Sequence, residues 1–260
     1  MECENVAKYK RFDERKEQMK RVGVVAVGML CASTAFVWTV GSAFAAKPEE
    51  LVECPVSENL RGHENIEWST SYAFGLTDKT RKLPRVLLIG DSICGGYKDG
   101  VRNELNGKMN VTYWISSYCV TSPGYLRLLS FYLDETEYAV IHFNNGLHSL
   151  STPDADWEKG LRTALTLSRL KQPKARIVWT ASTPLKDATK TEKVRSLNAI
   201  AKKVIAEMGD IQVDDLFALM DPLDRETNWT DTYHYKPAAI SLQTNQVSAV
   251  CLKALEGTGR

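Results

Sequence analysis

Two rhythms of apolar positions run along this 260-residue chain. One is a set of short, nearly continuous apolar runs. Val86-Leu87-Leu88-Ile89, led by Arg85, is the clearest, and a run without polar alternation is what a strand covered on both faces needs. Asn110 to Ile115 is β-branched and aromatic, which suits a pleated, packed surface. Tyr138 to Phe143, Ala175 to Thr180 and the short Ile211-Gln212-Val213 complete the set. The other rhythm is helical. Tyr97, Val101 and Leu105 begin it, and Tyr125 to Leu133 reads as a second helix. Asp154 to Leu170 carries Trp157, Leu161, Leu165 and Leu167 on its apolar side. Val194, Leu197, Ala201, Val204, Ile205 and Met208 mark an amphipathic helix that Gly209 closes. Ile240 to Leu255 gives the last helix.

Strands alternating with helices of this length predict βαβ units and a mostly parallel sheet covered on both faces. The expected architecture over residues 84–260 is α/β: a flavodoxin-like three-layer α/β/α sandwich on a five-stranded sheet. In such a fold the reactive groups gather at the carboxyl ends of the strands. Residues 46–83 are polar and irregular, with Pro48, Pro55 and many Glu. They read as a linker and lead-in that wraps the domain.

The first 45 residues follow neither rhythm. Lys20 and Arg21 precede an apolar run from Val22 to Phe44, which ends in Ala43-Phe44-Ala45 before Ala46. A basic start, an apolar stretch and a small-x-small end form an export signal, cleaved here after Ala45. Met19 sits just before the basic pair, so the signal starts at Met1 or at Met19. The run is also long enough to span a bilayer as an uncleaved anchor. Cleavage predicts a secreted or periplasmic protein; retention predicts a membrane-tethered one. No small-residue lipobox precedes Cys31, which argues against a lipid anchor.

Composition adds mainly exclusions. Seven of the 33 Lys/Arg and five of the 32 Asp/Glu fall in that leader. The remainder is therefore almost neutral and has no basic stripe, so a nucleic-acid partner is not expected. Of six cysteines, Cys3 and Cys31 lie in the leader. Cys54, Cys94, Cys119 and Cys251 remain, and an exported chain permits disulfides among them. No Cys-x-x-Cys pair exists, so neither a zinc nor a redox motif is indicated; no metal or cofactor is expected.

Chemistry concentrates at two places. Gly90-Asp91-Ser92 directly follows the first buried strand and opens a helix. A serine there lies beside backbone N–H groups able to stabilise an oxyanion. By itself the triplet is common in ordinary turns. A serine hydroxyl also needs a general base, and the chain has four histidines. His63 lies in the polar lead-in, and His142 sits inside a strand, where a satisfied core histidine is the simpler reading. His234 belongs to Asp231-Thr232-Tyr233-His234, just before the last helix. A carboxylate three residues ahead on one turn can fix the imidazole's tautomer and stabilise its protonated form.

Together these segments resemble the SGNH/GDSL hydrolases. Gly90-Asp91-Ser92-Ile93, followed by Gly96-Tyr97, Val101 and Leu105, is similar to that family's first block. Asp231-Thr232-Tyr233-His234-Tyr235 resembles its final block, and Phe143-Asn144-Asn145-Gly146-Leu147-His148 its third block as written in one bacterial subgroup. Trp179 to Pro184 and Asp214-Asp215-Leu216-Phe217 resemble later strands of that subgroup. The resemblance covers roughly residues 84 to 255. It implies the SGNH hydrolase fold, ester hydrolysis without a metal, and a triad of Ser92, His234 and Asp231.

The pattern departs from the family in two blocks. The family's third block supplies an Asn to the oxyanion hole. Aligning the strands gives that role to Asn144; aligning Gly146 to the motif's glycine gives it to His148, with Ser149 where an Asp is usual. The second block normally supplies a glycine N–H, but here Gly124 comes late, at a helix start. A backbone N–H near Cys119 takes its place, beside that of Ser92. A Cys94–Cys119 disulfide would brace the site. The expected activity is hydrolysis of carboxylic, O-acetyl esters on carbohydrate through an acyl-enzyme, with a small-molecule or glycan ester as partner. Trp114, Tyr118 and Tyr125 are candidate sugar-stacking rings. Two alternatives stand beside it: a lipid or lysophospholipid esterase, and a non-catalytic glycan-binding module of the same fold. A phosphate-binding regulator would leave Asp231 and His234 unexplained.

Overall fold

The computed structural model describes residues 66–257 apart from Asp78 and Pro123. The expected leader over 1–45, the first part of the lead-in, Cys54 and His63 lie outside the described residues. Six strands form one sheet: β1 (Ser69–Ala73), β2 (Arg85–Gly90), β3 (Asn110–Ser116), β4 (Val140–Phe143), β5 (Arg176–Thr180) and β6 (Ile211–Asp214). Their order is β1-β3-β2-β4-β5-β6. β2 to β6 are mutually parallel, while β1 runs antiparallel to β3, with Ser69 opposite Ser116 and Ala73 opposite Thr112. The five parallel strands match the expectation, in the flavodoxin-like order with its switch point at β2 and β4.

The sixth strand is an addition from the polar lead-in. Its sequence, Ser-Thr-Ser-Tyr-Ala, is exposed throughout. An edge strand with water on both faces needs no apolar alternation, so the pattern that reveals core strands is missing. Two buried polar side chains tie the stretch after it to the sheet. The Arg85 guanidinium donates to the carbonyls of Phe74 and Gly75, at 2.7 and 3.2 Å. The Asn110 amide donates to the carbonyls of Thr80 and Leu83, at 2.8 and 3.3 Å.

The helices are α1 (Ser92–Glu104), α2 (Tyr125–Asp134), α3 (Asp154–Lys171), α4 (Ala188–Met208), the short α5 (Leu216–Met220) and α6 (Arg225–Asn228), and α7 (Pro237–Glu256). Alternate residues of β2 split the core in two. Val86 and Leu88 pack with Val101 and Leu105 from the α1 side and with Val247 and Cys251 of α7. Leu87 and Ile89 pack with Leu129 of α2, Leu161 of α3 and Leu197 of α4. Three layers result, as expected. Among the described residues, no helix is long and apolar enough to cross a membrane.

The α1–α7 contact joins the two segments that carry the candidate chemistry, because Ser92 begins α1 and His234 lies just ahead of α7. The two helices meet closely at Gly100, where a Cβ would come within 2.6 Å of Thr244 Oγ1 and 2.8 Å of its Cγ2. Only a residue without a side chain allows that approach. Gly100→Leu is expected to cost about 1–3 kcal/mol by overpacking, read as a lower urea midpoint. The helices would also be pushed apart, so activity in the surviving folded fraction should fall as well.

Candidate active site

β2 ends at Gly90, where a Cβ would lie 2.6 Å from Cys94 Cβ. The missing side chain lets the first turn of α1 fold tightly back on the strand. Asp91 caps that helix: its Oδ1 accepts the Ile93 N–H at 2.9 Å. Ser92 is the first helical residue and is half-buried. Its Oγ lies 2.9 Å from His234 Nε2. On the other side of the ring, His234 Nδ1 lies 2.8 Å from Asp231 Oδ2 and 3.1 Å from Oδ1. A hydroxyl, an imidazole and a carboxylate in this order can move a proton from Oγ to Nε2 while the carboxylate steadies the resulting cation.

The Asp231–His234 turn is fixed from both ends. Asp231 Oδ1 accepts the N–H groups of Tyr233 and His234, at 2.8 and 2.9 Å. Those two bonds, with the His234 ring, hold its carboxyl down at about 2. Thr230 N–H donates to the His234 carbonyl at 2.9 Å, and Trp229 pairs with Tyr235 as an isolated bridge. Both rings are buried, 4.5 Å between centroids, and Tyr235 Oη donates to the Pro184 carbonyl at 2.8 Å. The loop is thus pinned by its flanking aromatics, while Asp231 stays exposed and His234 half-buried. Asp91 is in the opposite situation. Burial pushes its carboxyl up, opposed by the nearby His148, the Ile93 N–H and His234. Asp91 Oδ2 and Thr183 Oγ1 have no hydrogen-bond partner in the protein, and both residues line a small cavity of about 10 Å³ that Asn144 and Thr180 also border.

Around Ser92 the candidate oxyanion groups fall as follows. Asn144 is buried at the end of β4, and its Nδ2 donates to the Thr180 carbonyl at 2.7 Å and to Ser182 Oγ at 3.3 Å. Both of its amide hydrogens are therefore directed toward β5. His148 sits in a single 3-10 turn, Leu147–Ser149, half-buried, with the Trp68 ring edge-on at 6.2 Å. Trp68 comes from the lead-in and exchanges two bonds with Ser117, at 2.9 and 3.0 Å. Cys119 lies in the loop after β3. Its neighbours are gripped by Asn145, whose Nδ2 donates to the Tyr118 carbonyl at 2.8 Å and whose Oδ1 accepts the Val120 N–H at 3.2 Å. Asn145, read in the sequence only as part of the segment Phe143 to His148 and given no role, is the residue sequence reasoning missed. Its partners lie 25 and 27 positions away, so no local pattern announces it.

Comparison with known proteins agrees with this geometry at the level of the fold. No family model and no curated protein sequence matches the chain. Solved structures do. A carbohydrate esterase family 3 structure from Talaromyces cellulolyticus superposes with a TM-score of 0.55 at 10% identity, over 67% of this chain and 99% of that one. A member of the lipolytic G-D-S-L family from Veillonella parvula gives 0.56 at 17% identity, over 65% and 98%. An acetyl esterase variant solved with an acetate ion gives 0.56 at 9% identity, over 68% and 100%. The chain carries the SGNH/GDSL hydrolase fold.

Within that SGNH fold, two expectations change. Cys94 and Cys119 are not joined: both are free and buried, as is Cys251. Cys94 packs in the core on the α1 and α7 side of the sheet and Cys119 in the core on the other, so the sheet itself separates them. Cys119 Sγ instead faces Ser149 Oγ at 3.0 Å and Thr121 Oγ1 at 3.1 Å. Of the three rings considered for sugar stacking, Trp114 and Tyr125 are core residues, 5.1 Å apart and fully buried, while Tyr118 is half-buried. The exposed aromatic beside the site is Tyr233, next to His234. His142 is a core histidine, as expected: Nε2 lies 2.9 Å from Asp214 Oδ2 and 2.6 Å from Thr180 Oγ1.

The low value of the Asp231 carboxyl has a measurable consequence. A carboxyl depressed on folding stabilises the native state above its ordinary value of 3.8, and that contribution is lost as pH falls toward about 2. Wild type should therefore lose melting temperature through this window more steeply than Asp231→Asn, which has no carboxylate there to protonate. Parallel acid limbs for the two proteins would contradict it.

Proposed function

We propose that the protein is a serine esterase that hydrolyses short-chain carboxylic esters through an acyl-enzyme. The observation that carries this reading is the unbroken line from Ser92 Oγ through His234 to Asp231, with spacings of 2.9 and 2.8 Å, at the carboxyl end of an SGNH-fold sheet. Ser92 Oγ attacks the ester carbonyl while His234 Nε2 takes its proton. Asp231, its carboxyl held down at about 2 by the His234 and Tyr233 N–H groups, stabilises the imidazolium as a carboxylate. The tetrahedral intermediate collapses, and His234 returns the proton to the departing alkoxide. Water then repeats the sequence on the acyl-Ser92 ester, freeing the carboxylic acid.

For the oxyanion we assign the N–H groups of Ser92 and Cys119 as donors. The third donor is His148 rather than Asn144, because both Asn144 amide hydrogens are already directed to Thr180 and Ser182. His148 lies close enough to Asp91 to influence it, which supports a position beside the nucleophile turn. The acyl group in this reading is acetyl and the alcohol a carbohydrate hydroxyl, which the similar structures named as an acetyl esterase and a carbohydrate esterase favour. The segment over 1–45 then acts as an export signal, cleaved after Ala45, and places the enzyme outside the cytoplasm where such glycans occur.

Ser92→Ala and His234→Ala should each abolish hydrolysis of p-nitrophenyl acetate while leaving the circular dichroism spectrum intact. A fluorophosphonate probe should label wild type at Ser92; a chain that neither labels nor hydrolyses would be a glycan-binding module instead. Among oxyanion groups, His148→Ala should cost about two to three orders of magnitude in kcat, and more than Asn144→Ala. p-Nitrophenyl octanoate should be cleaved more slowly than the acetate, and the reverse order would favour a lipid esterase.

A further inference from the structure

β3 and β4 are not neighbours; β2 runs between them. Adjacent strands lie about 4.8 Å apart, so the loops after β3 and β4 start about 10 Å from each other. They can meet only across the carboxyl end of β2, which is where Ser92 begins α1. They do meet there, through one buried amide. Asn145 Nδ2 donates to the Tyr118 carbonyl at 2.8 Å, and Oδ1 accepts the Val120 N–H at 3.2 Å. Ser149 Oγ, fully buried, lies 3.1 Å from the same Oδ1 and 3.0 Å from Cys119 Sγ. The Ser149 hydroxyl is the donor toward both Cys119 Sγ and Asn145 Oδ1, and its single proton serves one of them at a time.

Peptide planarity turns this grip into an orientation. In a trans peptide the carbonyl and the next N–H point in opposite directions. With the Tyr118 carbonyl held toward Asn145, the N–H of Cys119, on the same peptide plane, must face the other way. The following N–H, of Val120, is held back toward Asn145. The amide therefore selects one N–H of the loop, that of Cys119, to face away from the clasp. Its predecessor works in the opposite sense: Asn144 is bonded to β5, while Asn145 is bonded to the loop after β3.

We propose that Asn145 is a positioning residue that aims the Cys119 N–H at the oxyanion, acting through the Tyr118–Cys119 peptide. The assignment rests on the esterase reading. It differs from a packing role, because the group lost on substitution is the direction of a donor that works only when negative charge develops. The effect falls on kcat and spares KM.

The test measures kcat and KM on p-nitrophenyl acetate, with thermal melts, for wild type, Ser92→Ala, Asn145→Ala and Asn145→Asp. Both Asn145 variants should lose about tenfold to a hundredfold in kcat, somewhat less than removal of a whole donor, with KM within about threefold of wild type. Asn145→Asp keeps the volume and the acceptor for Val120, and so reports even if Asn145→Ala does not fold. Its carboxylate repels the Tyr118 carbonyl, but its protonated form can donate to it. Its kcat relative to wild type should therefore rise as pH falls, a signature that simple loosening would not give. Unchanged kcat in both variants overturns the assignment. So does a loss of kcat accompanied by a matching rise in KM and no pH recovery. A wild type that is inactive, or as active as Ser92→Ala, fails earlier and removes the esterase reading itself.

Discussion

Ser92 and His234 are 142 residues apart in sequence and 2.9 Å apart in space, and the packing of α1 on α7 closes that gap. Each residue sits at or just before the start of one of these helices, on the same face of the sheet. The helices approach closely where Gly100 meets Thr244. The shared core beneath them, with Val101, Val247, Val86 and Leu88 fully buried, holds them rigidly. A proton transfer over hydrogen-bond distance tolerates little error. The candidate chemistry therefore depends on an interface that contains none of the reacting groups.

Polar contacts then refine what packing places. Two aspartates near Ser92 illustrate how environment divides labour among like side chains. Asp231, largely exposed, is held ionised by two backbone N–H groups and its histidine. Asp91, buried in the turn just before Ser92, is pushed toward its neutral form. The consecutive amides of Asn144 and Asn145 show the same economy. They leave the end of β4 in opposite directions, one bonded to β5 and the other to the loop after β3. Between them they fasten three strand ends around the point where β2 turns into α1.

What could be read from the sequence is what is local. β2 was legible because burial on both faces leaves an uninterrupted apolar run, and β3, β4 and β5 because buried strands favour β-branched and aromatic residues. Asp231 and His234 were legible as a pair because three residues on one turn bring them together whatever the rest of the chain does. Asn145 was not, because its meaning lies in partners on another loop. The Cys94–Cys119 pairing failed for a related reason: sequence proximity to one site does not say which side of the sheet a thiol faces. Leu216 and Phe217, read with a later strand, instead open the short helix Leu216–Met220, and Arg225–Asn228 went unread, because one turn of helix leaves no periodic trace. Trp229 and Tyr235, which anchor the His234 loop, are separated by a polar stretch that conceals their pairing.

β1 changes where the domain should be thought to begin. Its five residues look like linker, yet they cover the outer edge of β3 along Thr112 to Ser116. Just ahead of them, Trp68 is stitched to Ser117 and stands beside His148. A boundary drawn at residue 84 would strip that cover and leave a row of bare N–H and C=O groups on a strand of Val, Tyr, Trp and Ile. Such an edge is a ready template for pairing with other chains. The plain polar lead-in thus covers that edge with a short strand of small and polar residues, and belongs to the folded sheet rather than to a linker.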